Sequence, residues 1–197
     1  MSGASRINLT NQFLIAMPGM VDPTFAGTVV YLCEHTDKGA LGLVINKPVD
    51  IKLRNLFEKV ELSLTREDLA EEPVFFGGPV QTERGFVLHE RVRSEGAEGS
   101  PYSSTLAIAG APLDMTTSKD VLEALAEGSG PKKLLVTLGY SGWGAGQLED
   151  EISRNGWLTV GADPAIIFDT PVEQRYERAV SLLGIDPRML SQEAGHA

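Results

Sequence analysis

Apolar and polar positions fall into short blocks along this chain, and glycine or proline closes most of them. Phe13-Leu14-Ile15-Ala16-Met17 is a continuous apolar run stopped by Pro18-Gly19, the pattern of a buried strand ending in a turn. Thr28–His35 is β-branched and aromatic-rich and predicts a second strand. The turn Thr36-Asp37-Lys38-Gly39 leads into a third over Ala40–Asn46, closed by Pro48, so the two strands should form an antiparallel hairpin. Further short strands are predicted over Val74–Phe76, Gly85–Glu90, Thr105–Ala109, Lys132–Tyr140, Trp157–Val160 and Ile166–Phe168. Ser94–Ser103, rich in Ser, Gly and Glu, reads as a mobile loop.

Between these blocks the period changes. Leu53, Leu56, Phe57 and Val60 follow the spacing of an amphipathic helix. Val121, Leu122 and Leu125 supply a second helix face, with Ser118 as N-cap and Gly128 beyond its end. Gln147–Asn155 and Val172–Leu183 predict two more, the last capped by Gly184. About eight strands and four helices result, with strands in pairs rather than in regular βαβ order. The class is α+β with a mixed, largely antiparallel sheet, and all 197 residues form one domain with frayed ends over 1–10 and 188–197.

Composition then narrows the compartment and the partners. The formal charge of −10 repels phosphate backbones, and the one compact basic cluster, Arg84, Arg91 and Arg93, is interleaved with acids. No direct nucleic-acid binding is expected. The single cysteine, Cys33, rules out an intrachain disulfide and fits a reducing cytoplasm. No apolar run approaches the roughly 18–20 residues that span a bilayer, so no membrane association is expected.

Candidate chemistry gathers around Leu138–Trp157, which holds both tryptophans and five glycines. Gly139, Gly142, Gly144 and Gly146 form a glycine-rich turn before a helix, a shape that can cradle phosphate. Here no Gly-Lys-Ser/Thr follows, Gln147 breaks the dinucleotide pattern, and Glu149, Asp150 and Glu151 in the first helical turn would repel an anion. Close packing around Trp143 and a ligand-binding turn both remain open. Cys33 and His35, two apart on a strand, should face the same side and could form a reactive thiol pair oriented by Asn46 or Asp37. The bland alternative is a buried cysteine. The three histidines, His35, His89 and His196, are scattered, so no metal site and no cofactor are expected.

Four blocks together resemble the YqgE/AlgH family of bacterial proteins: NQFLIAMPGM from Asn11, TVVYLCEHTDKGALGLVINKP from Thr28, VFFGGPVQTERGFVLHE from Val74 and LGYSGWGAGQLEDEISRNGWL from Leu138. The resemblance implies a cytosolic bacterial protein with a bifurcated sheet curled into a pseudo-barrel and flanked by helices. It places shared positions at His35, Asn46, Gly77, Gly78, His89, Gly139, Gly142, Trp143, Gln147, Glu149 and Trp157. It carries no catalytic roles. One branch bears a name linked to transcriptional regulation of alginate synthesis, which here implies indirect action at most. Three readings follow. The first is a non-enzymatic binding or regulatory module, with His35, Asn46, His89, Trp143 and Gln147 converging on a concave site for an unknown protein or small molecule. The second is a thiol-dependent or redox-sensing protein using Cys33 with His35. The third is a regulator that does not touch DNA. Oligomeric state is not readable from the sequence.

Overall fold

The computed structural model describes residues 7–93, 96 and 99–185. Of the expected frayed ends 1–10 and 188–197, residues 1–6 and 188–197 lie outside the described residues, as do the tail histidine His196 and positions 94, 95, 97 and 98 of the expected mobile loop. Residues 9 and 10 are not frayed: Leu9 is buried with its amide donating to His35 Nδ1, and the Thr10 hydroxyl accepts from the His35 amide.

Among the described residues, ten strands join into one curled, largely antiparallel sheet that forms a half-barrel. The strand order begins with β10 (Trp157–Gly161), β1 (Gln12–Ala16), β2 (Val29–Thr36) and β3 (Gly39–Val44). It continues through β9 (Leu134–Gly144), β6 (Val80–Glu90), β8 (Leu113–Thr116) and β7 (Thr105–Ala107). A side branch pairs β4 (Pro48–Lys52) with β5 (Pro73–Phe76), and β5 runs parallel to β9. The sheet is bifurcated because β9 is shared. Its Ser141–Gly144 end pairs with β3, and its Leu134–Tyr140 end pairs with β6.

Six α-helices accompany the sheet. Four are seven residues long: α1 (Leu53–Lys59), α3 (Asp120–Ala126), α4 (Gln147–Ser153) and α6 (Arg175–Ser181), within or close to the four spans that the sequence predicts as helix. The short α2 (Glu67–Ala70) and α5 (Pro164–Phe168) complete the set. Ile166–Phe168 is therefore helix, not strand. Pro164 starts it and the Asp163 carboxylate accepts a 3.0 Å bond from the Ala165 amide, a cap signal that outweighs three apolar residues. Ser118 is not the cap of α3. Its hydroxyl donates to Asp120 at 2.6 Å and accepts from the Ser104 amide at 3.1 Å, tying the helix entry to the neighbouring loop.

Three apolar layers result. One lies inside the curl, with Phe13, Tyr31, Leu43 and Leu88 covered by α5 and α6. A second lies beneath α1 and α3 around Leu53, Phe57 and Val136. The third, on the outer face of β1, β2 and β3, holds Leu14, Val30, Val44, Trp143 and Trp157 with Leu148 of α4. The third layer positions the site.

Candidate functional site

The main chain of β9 stays extended through Ser141, Gly142 and Trp143, so the expected glycine turn is mostly strand. Only Ala145 and Gly146 turn, and Gly146, at φ +75°, starts α4 in the left-handed conformation that glycine adopts without a Cβ clash. The turn is closed by Gln147, whose side-chain oxygen accepts a 3.0 Å bond from the Gly144 amide. The Gln147 amide then donates to Glu151 Oε2 at 3.0 Å, one helical turn away. Glu151 Oε1 accepts both indole N–H groups, from Trp143 at 3.1 Å and from Trp157 at 3.0 Å. One carboxylate thus holds three donors and fixes the two rings nearly at right angles, with centroids 6.1 Å apart. Phe25 packs edge-on against Trp157 at 5.6 Å and tilted against Trp143 at 6.2 Å.

An open cleft of about 920 Å³ lies over this cluster. The tryptophans, Gly156 and Leu158 form its floor, and Met17, Met20, Val21 and Phe25 form one wall. Gln147, Glu151, Arg154 and Ile185 stand at its rim. Val21 is 94% exposed, an unusual state for a valine beside an apolar hollow. A shallower depression of about 750 Å³ runs between the β2–β3 hairpin and β9 at Tyr140 and Gly142.

The five residues expected to converge do not all meet. Trp143 and Gln147 belong to the cleft. His35 lies behind the same helix, 5% exposed, where Nδ1 accepts from the Leu9 amide at 3.0 Å and Nε2 faces Glu149 at 2.5 Å. A ring nitrogen that accepts an amide proton leaves the imidazole proton on Nε2, so His35 donates to Glu149 and clamps α4 to β2. Asn46 accepts from the Val29 amide and donates to the Gly27 carbonyl, both at 2.9 Å, and pins the end of β3 to the start of β2. His89 is fully buried on β6 in the other half of the sheet, between the Thr116 hydroxyl at 2.8 Å and the Glu90 carbonyl at 2.7 Å.

Cys33 and His35 do not share a face. A β-bulge between Leu32 and Glu34 inserts Cys33 as an extra residue, after which Glu34 pairs with Leu41 and His35 with Ala40. Cys33 stays in the inner core, 1% exposed, while the reversed phase sends His35 to the outer layer. Burial, and then the charge of Glu34, push the Cys33 thiol far above its ordinary range, so the thiolate needed for a nucleophile is disfavoured. The expected basic cluster also divides. Arg91 and Arg93 turn onto the buried Asp114 carboxylate at 3.0 and 2.7 Å, while Arg84 lies over the Phe86 ring. Among the described residues no group of three His, Cys, Asp or Glu side chains could hold a metal ion.

Glu151 is the residue that pattern reading misses as a site member. Its signal is the Gln147–Glu151 helical spacing set between two tryptophans, eight residues before and six after. His89 has a measurable consequence. Burial lowers its pKa below the ordinary histidine value, so below about pH 6.5 the unfolded chain binds a proton that the folded chain refuses. Stability should therefore fall as pH drops through that value. Urea denaturation of wild type and His89→Gln from pH 7.5 to 5.5 checks this, with the shallower slope expected for the variant.

The fold and site together define an α+β protein with a curled, bifurcated sheet and an open tryptophan cleft under a short acidic helix. The chain belongs to the AlgH-like family, whose model (DUF179) matches residues 13–188. UPF0301 proteins of Burkholderia lata and Burkholderia mallei are each 66% identical over 194 residues, covering 98% of both chains. The solution structure of AlgH from Pseudomonas aeruginosa, a UPF0301 protein, superposes with a TM-score of 0.76 at 48% identity across the full length of both chains. A Corynebacterium diphtheriae crystal structure, at 20% identity over 86% of each chain and a TM-score of 0.65, shares the fold. Among the described residues no helix is long and apolar enough to cross a membrane.

Proposed function

We propose that this protein is a non-enzymatic binding or regulatory module that receives an apolar group of its ligand in the tryptophan cleft. The observation that carries the reading is the cleft itself. It is roomy and largely apolar, and its floor is held rigid by three hydrogen bonds to Glu151. A preformed floor lowers the ordering cost of binding, and methionines in the wall allow ligands of different shape to fit. A cytoplasmic setting belongs to the proposal and is supported by the lone, buried Cys33. Direct contact with nucleic acid does not, since the −10 charge opposes it and Arg91 and Arg93 are engaged with Asp114.

Both tryptophans of the chain line the cleft, so intrinsic fluorescence reports its occupancy. The neutral apolar dye N-phenyl-1-naphthylamine should quench it saturably. Met20→Asp puts a charge in the wall and should weaken the dye by about tenfold, measured where circular dichroism shows the variant folded. Unsaturable quenching, or equal affinity for the variant, would remove the cleft as a binding site.

A further inference from the structure

We propose that β10 is the seam of a symmetric dimer, in which two copies of this chain pair edge to edge and antiparallel through Thr159. The hydrogen-bond register fixes the geometry. Met17 N donates to the Gly156 carbonyl and Ala162 N donates to the Asn11 carbonyl, so alternate residues 156, 158, 160 and 162 face β1. Trp157, Thr159 and Gly161 therefore aim their main-chain N–H and C=O groups away from the sheet. Among the described residues no strand, loop or side chain takes up these groups.

An unpaired edge of this kind is a template for another strand, and natural edges are usually protected by charge or proline. The β10 sequence, Trp-Leu-Thr-Val-Gly, has neither, in a chain of formal charge −10. Pairing β10 with itself brings no like charges together within the strand.

The strand is also self-complementary. Thr159 is its central residue, so a two-fold axis there makes the two Thr159 residues exchange N–H···O bonds and sets Trp157 opposite Gly161 of the other copy. Thr–Thr and aromatic–glycine are favourable cross-strand partners. Exposed apolar side chains extend the contact. Of the four large hydrophobics that stand exposed among the described residues, Val21 and Ile185 line the cleft beside β10, and Leu182 follows α6 three residues before Ile185. Because β10 is the last strand under the cleft, the second copy supplies an outer wall that one chain lacks. The dimer does not depend on any ligand entering the cleft.

Sedimentation velocity across a concentration series tests the seam without using the cleft dye. Wild type should show a reversible monomer–dimer equilibrium. Thr159→Pro removes an outward N–H while leaving the bonds to β1, and should weaken association by about tenfold. Thr159→Cys gives a second readout that does not depend on tolerance of proline. Its Cα atoms should lie about 5.5 Å apart across the axis, within reach of a short bismaleimide. It should cross-link about tenfold faster than the exposed control Ser129→Cys, while buried Cys33 leaves wild type as the blank. A concentration-independent monomer, or equal cross-linking of the two cysteine variants, overturns the proposal.

Discussion

Gly78→Ala should be severely destabilised and unfold at a far lower urea concentration than wild type. Gly78 sits at φ +155°, and a Cβ there would fall far inside contact with the Tyr140 carbonyl. The clash cannot relax by moving either strand. Gly77, next to it, donates to the Leu138 carbonyl at 2.9 Å and accepts from the Val44 amide at 2.9 Å and the Ser141 hydroxyl at 3.0 Å. Those bonds join β3 and β9 at the point where the sheet divides. Separating the chains breaks them, and keeping them forces overlap. A cost above about 4 kcal/mol is expected, against a whole-domain stability of about 5–15 kcal/mol. Urea titration followed by circular dichroism checks it. Gly85→Ala is the control, because its added methyl meets open space and should change stability by less than about 0.5 kcal/mol.

Glu151→Ala should lower stability by about 2–4 kcal/mol and loosen the cleft together with the fold. Removal of the carboxylate leaves the Trp143 and Trp157 indole N–H groups and the Gln147 amide without their acceptor. The two rings are nearly buried, so water reaches the freed donors poorly. Tryptophan emission should shift to the red, and dye binding should weaken even where the variant is fully folded. Glu151→Gln separates charge from geometry. Its amide oxygen can still serve both indoles, while its NH₂ faces the Gln147 NH₂, so a loss of about 1 kcal/mol is expected. Equal losses in the two variants would show that the ionic charge, rather than the arrangement of acceptors, holds the cleft floor.

These two positions mark what a linear reading can reach. α1 and α3 were legible because each buries one apolar face, and that period survives in sequence. The β2–β3 hairpin was legible from its turn. Leu113–Thr116 was not, because all four residues are buried and the strand has no alternation to read. Pro48–Lys52 alternates, with Val49 and Ile51 packed against the layer beneath α1 and α3, but five residues that open on a proline and carry Asp50 and Lys52 make too weak a strand signal to read. Cys33 and His35 show a different limit. Their two-residue spacing is correct, but one bulge reverses the phase between them, and bulges leave no residue signature here.

The candidate site was half legible. Trp143 and Gln147 stand out by residue type and reach the cleft. His35, Asn46 and His89 stand out as strongly, yet each spends its polar atoms inside the fold, on α4, on the start of β2 and on Thr116. Sequence shows that a polar residue is unusual; only geometry shows whether its partner is the protein or something else. Glu151 was hidden for the opposite reason. It reads as one more acid in Glu149-Asp150-Glu151, and its distinction lies in two donors that arrive from different strands.

The shared strand β9 also sets a timetable. During synthesis β1, β2 and β3 emerge early and can form a meander at once, but Gly39 must wait for Gly144 and Phe13 for Val160 before either side of that meander is covered. Non-local pairing of this kind folds slowly, and a nascent chain stalled before β9 shows two bare edges to whatever is nearby. A premature stop between β3 and β9 therefore leaves the β1–β2–β3 meander without the strands that cover its two edges.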